Sequence, residues 1–281
     1  MEDFPVDLIV NVFERTYRDV LVPGWFTDVV RQNGREFERR VVLINNVDDM
    51  ADAVVRATHL VESGEITEFV RVDERLPAAL AAVGLRPRDL GVLPHFTDCA
   101  LVAIHLKGSD LLVYWDVDVK LSQPIDWVTP SVELMRSHRR VVVANPSWDA
   151  VEARAESTHE VGDFVLGYGF SDTAFLCRRS RFTHRGYRRV VPASWRYPLA
   201  HVVPVFEQRV DSWMRRERLL RATYLPASIE HRGPVGTQYP TATIRQRLRR
   251  SVQARVGRWL AIAFPTDPRF AHYGPDDAPL N

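Results

Sequence analysis

The chain predicts an α/β fold: a mostly parallel central sheet with helices on both faces. Unbroken runs rich in Val, Ile and Leu recur through the first 120 residues, as in strands buried on both faces. Helix-length segments separate these runs, giving strand–helix alternation. The 281-residue length suffices for one large domain or two small ones with a substantial core.

In order, Val6–Phe13 is rich in β-branched residues and reads as the first strand. A helix is expected from about Val20 to Asn33, closed by Gly34. Arg40–Asn45 is the second strand, followed by a helix from about Asp49 to Ser63. Ile66–Val72 is the third strand, and Leu76–Val83 a short helix ended by Gly84. A helix over about Phe96–Leu106 leads through Gly108 to the apolar strand Asp110–Trp115. The second half is less regular. Arg139–Asn145, Asp163–Leu166 and Asp172–Cys177 read as strands, His201 to about Arg218 as a helix after Pro204, and Arg221–Leu225 as a short strand. Ligands of such sheets sit beyond the carboxyl ends of the strands, where Glu14, Asn45, Asp73 and Asp116 fall.

Composition excludes several classes. Hydrophobic and charged fractions of 46% and 26% are ordinary for a soluble globular protein. The formal charge of +1 gives no global field toward nucleic acid. Lysine occurs only at Lys107 and Lys120, so basic function falls to arginine by default and a single arginine carries little weight. Cys99 and Cys177 form neither a metal spacing nor a disulfide framework, and read as reduced buried thiols. No signal peptide or 18-residue apolar run is visible. The expected location is cytoplasmic.

Asp116-Val117-Asp118 follows the strand ending at Trp115. On an extended backbone two carboxylates one residue apart point to opposite faces. A strand that breaks at Val117 turns both toward one hard divalent cation, the D-x-D arrangement by which many glycosyltransferases hold a metal and a nucleotide-sugar diphosphate.

Four segments, in order, carry a resemblance: Val10–Arg18 with its Thr16-Tyr17 turn, Val42–Asp49, Val113–Asp118, and Phe206–Arg215 continuing through Ser228–His231. Over roughly residues 6 to 235 the chain resembles the GT-A fold glycosyltransferases, most of all the family-2-like group. The resemblance implies Asp118 as a ligand of Mn²⁺ or Mg²⁺, Asp116 on the metal or the donor ribose, and His231 as a third ligand. It places Glu14, Arg15, Thr16, Tyr17, Asn45, Asn46 and Asp73 as candidates for the edge binding a nucleotide-sugar donor. The family's Pro is Arg15 here, and its usual aspartates in the second segment are asparagines. The usual Glu-Asp pair reads Glu207-Gln208, so the acceptor base falls to Glu207, Asp211 or Asp172. Inverting transfer to a hydroxyl is the expectation; a retaining enzyme would need no such base. Asn45, Asn46 and Asp73 are equally well explained as turn or capping residues, and Glu207 and Asp211 as a helix face paired with Arg215 or Arg218.

The resemblance makes residues 1–240 one catalytic domain, with a donor half to about 120 and an acceptor half over 121–240. Residues 241–281 form a basic helical extension and a loose tail. Ile244–Phe264 has an apolar stripe interrupted by Arg245, Arg249 and Arg255. Packing on the catalytic domain or on a second copy is favoured over an anionic membrane surface or nucleic acid. The acceptor stays open between saccharide, lipid carrier, protein hydroxyl and modified DNA base. The rival functions are a nucleotidyltransferase, which lacks its Gly-rich, Lys-bearing loop here, and a non-catalytic binder of nucleotide sugars or nucleic acid.

Overall fold

The computed structural model describes residues 4–90, 95, 97–197, 206–232 and 243–271. Among them, ten strands are β1 (Val6–Val12), β2 (Arg39–Ile44), β3 (Glu68–Arg71), β4 (Leu111–Asp116), β5 (Val119–Leu121), β6 (Val141–Ser147), β7 (Ser157–Val161), β8 (Phe164–Gly167), β9 (Ala174–Arg178) and β10 (Leu220–His231). The α-helices are α1 (Tyr17–Val20), α2 (Trp25–Gln32), α3 (Met50–Glu62), α4 (Val72–Val83), α5 (Asp98–His105), α6 (Val128–Ser137), α7 (Ala150–Ala155), α8 (Arg179–Phe182), α9 (Phe206–Arg216) and α10 (Ile244–Ala263). The sheet runs β3-β2-β1-β4-β9-β6-β10-β8-β7, with β5 added to β10. The β3-β2-β1-β4 half is parallel throughout. Antiparallel β9 separates β4 from β6, which pairs parallel with β10.

Every residue of β1 is buried, and alternation divides its side chains between two cores. Leu8, Val10 and Val12 pack with Val42, Trp115 and Trp127 on one face. Ile9 packs with Val41, Leu43, Tyr114, Phe175 and Trp213 on the other. Asp7 is the polar exception at the amino end. It accepts from the Ser109 amide and the guanidinium of Arg179, and pairs with Arg39.

Several elements differ from the sequence expectation for local reasons. The helix expected from Val20 begins only at Trp25, as α2, with α1 ending at Val20, because Pro23 offers no amide and Gly24 turns left-handed at φ +90°. α4 starts at Val72 rather than Leu76, taking Pro77 inside its early turns. β10 does not stop at Leu225. It shifts register around the exposed Pro226, which cannot donate to a ladder, and then pairs with β5 as far as His231. α6, α7, β5 and β7 were not anticipated. Residues 264–271 are docked, while the last residues, expected as a loose tail, lie outside the described residues. Arg215 Nη1 donates to the carbonyls of Pro268 and Ala271, and the Ala193 amide donates to that of Arg269.

Candidate functional site

β4 ends at Asp116 and the chain turns over Val117-Asp118 before β5. Val117 is buried in the core, which anchors the turn and leaves the two carboxylates on the same side of it. The Asp116 amide donates to the Thr173 carbonyl at 2.7 Å, tying the turn to the segment before β9. The Asp118 carbonyl accepts from the Arg232 amide at 2.6 Å, tying it to the end of β10. The Oδ1 atoms of Asp116 and Asp118 are both buried without a hydrogen-bond partner. Burial, then the charges of Asp118 and Asp172, push the Asp116 carboxyl well up. Two buried carboxyl oxygens without partners cost free energy unless a cation compensates them.

Asp172 extends the cluster. Its carboxyl is pushed well up by burial, by Glu207 and by Asp118. Its amide donates to Glu207 Oε1 at 3.1 Å. Glu207, in the first turn of α9, is raised by burial, while its hydrogen bonds from Asp172 and the charge of Arg196 pull it down. The two carboxyls therefore interact electrostatically, each raised by burial, with the Asp172 amide tying them together. Asp116, Asp118, Asp172 and Glu207 form a continuous run of carboxylates, with Asp172 between the turn and α9.

Asp211, one turn along α9 from Glu207, is elsewhere engaged. It is fully buried, takes Arg215 Nε at 3.0 Å on both oxygens and accepts from Ser194 Oγ at 2.7 Å. The expectation of Asp211 as an acceptor base is thereby corrected: its oxygens serve a buried ion pair.

β10 delivers His231 beside the turn, since His231 pairs with Val119 in the β5 register. Its ring is stacked on Trp148, centroids 4.6 Å apart. Among the described residues no three His, Cys, Asp or Glu side chains are gathered into a ready metal shell. The orphaned Asp116 and Asp118 oxygens nevertheless fit a hard divalent ion, whose oxygen ligands they are.

The other predicted positions line the carboxyl edge of β1–β3, and most serve its architecture. Glu14 accepts from the Asp48 amide at 2.8 Å and pairs with Arg18. The Thr16 hydroxyl accepts from the Phe13 amide and donates to its carbonyl. Tyr17 is buried beneath Arg18, whose guanidinium carbon is 4.4 Å from the ring centroid. Asn46 holds φ at +47°, an αL turn residue. Asp73 lies in the first turn of α4 paired with Arg71. Arg15 is exposed beside this edge. Asn45 Nδ2 donates to Asp98 Oδ1 at 2.9 Å and to the His95 carbonyl.

Sequence reasoning missed Asn11, Asp98, Asn145, Ser147 and Trp148. Asn11 lies opposite Asp116 in the β1–β4 register, and its Oδ1 is a buried orphan. Asn145 Oδ1 and Ser147 Oγ are further orphans at the carboxyl end of β6. The signal was available: Asn11 and Asn145 are polar residues inside apolar strand runs, where an unpaired polar atom costs about 1–3 kcal/mol. Buried orphans thus gather along one edge of the sheet.

No family model matches the chain, and no curated protein matches it. Solved structures do. GalNAc-T7 with UDP, GalNAc and Mn²⁺ superposes at a TM-score of 0.51 and 9% identity, over 93% of this chain and 50% of that one. This chain thus spans half the length of that protein. Glucosyl-3-phosphoglycerate synthase from Mycobacterium tuberculosis, with Mn²⁺, UDP and glucosyl-3-phosphoglycerate, matches at 0.39 and 12% identity, over 98% and 82% of the two chains. The galactosyltransferase LgtC with donor and acceptor sugar analogs matches at 0.37 and 17%, over 63% and 59%. The chain has the GT-A fold of glycosyltransferases.

Proposed function

We propose that this protein is a metal-dependent glycosyltransferase that transfers a sugar from a nucleotide-sugar donor to a hydroxyl acceptor. The observation that carries the reading is the run of half-buried carboxylates at the carboxyl edge of a GT-A sheet, two of them with buried, orphaned oxygens. Asp116 and Asp118 would hold Mn²⁺ or Mg²⁺, with His231 as a third ligand once its ring leaves Trp148. The bound ion would offset the charge of the departing diphosphate. Arg15 and Asn46, whose side chains are exposed at the edge, would meet the donor directly. Glu14, Thr16, Tyr17, Asn45 and Asp73 would shape the turns beneath it.

Glu207, backed by Asp172, would take the acceptor proton. Its position at the start of α9, tied to the Asp172 amide and with its carboxyl raised by burial, supports the general-base role and the inverting course. The test is donor turnover with Mn²⁺ across a panel of nucleotide sugars, read together with thermal shift. One donor is expected to be both turned over and stabilising. Asp118→Ala is expected to lose at least about a hundredfold in turnover and the Mn²⁺-dependent shift. Undiminished turnover in Asp118→Ala would overturn the metal assignment.

A further inference from the structure

α10 faces the wrong way for a helix that packs by its apolar side. Its less exposed residues are Gln246, Gln253, Gly257, Leu260 and Ala261, which fall on one side at 100° per residue. This side packs against the 3-10 turn Pro192–Arg196. Ile244, Leu248, Val252, Val256, Trp259 and Ile262 occupy an arc of roughly 120° on the opposite side. They point outward: Leu248 is 66% exposed, Trp259 64% and Ile262 80%. The helix thus packs on the rest of the chain by the side opposite its apolar stripe, which stays exposed. Within the same helix lie six arginines and no acidic residue. Arg245 and Arg255 lie within the stripe, Arg249 flanks it on one side, and Arg247 and Arg258 flank it on the other.

We infer that this face docks on an anionic lipid surface. Two copies stacked through it would oppose like charges with no acid on the helix to compensate them. Nucleic acid would satisfy the arginines but leave the aliphatic side chains and Trp259 without an apolar partner. An anionic bilayer meets both demands. The stripe enters the headgroup–acyl boundary, Trp259 sits at the interface, and the flanking guanidiniums reach lipid phosphates. The helix is tied to the body through residues 267–271 and Arg215, so binding holds the whole protein at the surface. The inference stands apart from the proposed chemistry, because its readout needs neither donor nor metal.

The test is flotation of the full chain with neutral phosphatidylcholine vesicles and with vesicles containing phosphatidylglycerol. Binding is expected to the anionic vesicles alone, and to weaken with salt. Leu248→Glu with Trp259→Glu should lower partitioning at least about tenfold. Each of Arg249→Gln and Arg255→Gln should lower it about fivefold. These positions are exposed, so circular dichroism melts should match the parent and separate lost binding from lost folding. Equal flotation of parent and the double glutamate variant would overturn the inference, as would a parent that ignores anionic vesicles. A concentration-dependent dimer abolished by Trp259→Glu, without flotation, would assign the face to a second copy. Retention on DNA without flotation would assign it to nucleic acid.

Discussion

Asp98 shows how one buried residue writes a pH dependence into the molecule. Its carboxyl accepts from Asn45, and burial raises it from 3.8 to about 7. The folded value exceeds the unfolded one, so the folded state keeps the proton longer. The stability this contributes is fully present below about pH 4 and is lost as pH rises through 7. Asp98→Asn keeps the oxygen that Asn45 needs and removes the ionisation. It is expected to stabilise the protein by on the order of 2–4 kcal/mol at pH 8 and by little at pH 4, measured by urea unfolding across that range. A flat difference between the two pH values would refute it. At this scale the sequence was informative about residue type and poor about partners. Asn45 and Asp98 are 53 positions apart, and no local pattern joins them. Asp116 and Asp118 were legible because both their ligand chemistry and the break after the strand are local.

A single helix separates two carboxylates that its sequence made equivalent. Glu207 and Asp211 are one turn of α9 apart, yet the first meets Asp172 and the second is enclosed by Arg215 and Ser194. Asp211→Ala would leave Arg215 buried and short of its counter-ion, costing about 3–5 kcal/mol and lowering the thermal midpoint by well over 5 °C. Glu207→Gln relieves a crowded acidic cluster, so its melting point should hold or rise while sugar transfer falls at least about a hundredfold. Melting curves and turnover of the two variants, side by side, decide the matter. Equal destabilisation with equal loss of activity would remove the distinction. Helical periodicity placed both residues on one face, and only the neighbours of that face set their roles.

At the scale of the whole molecule, the C-terminal segment is a brace. Arg215 is almost wholly buried, and its Nη1 relies on the carbonyls of Pro268 and Ala271 for its hydrogen bonds. A chain ending after Phe264 should therefore lose about 2–4 kcal/mol, read as an earlier urea midpoint. Retention of the full midpoint would mean that water replaces those carbonyls at no cost. Nothing in the local sequence of residues 264–271 predicted this docking, because composition reports local propensity and says nothing of a distant guanidinium.

By itself the sequence determined the strands and helices of the parallel half of the sheet, though not their order, the turn after β4 at Asp116-Val117-Asp118, and the basic apolar helix over residues 244–263. Each is written in spacing within a short stretch, where hydrophobic period and backbone chemistry act directly. The tertiary structure alone decided that Glu207 rather than Asp211 joins the carboxylate cluster, that Asn11 and Ser147 leave orphaned atoms at the same edge, and that α10 turns its apolar side outward. Those outcomes depend on which surfaces meet across many residues of chain, and burial and charge compensation are settled only when they do.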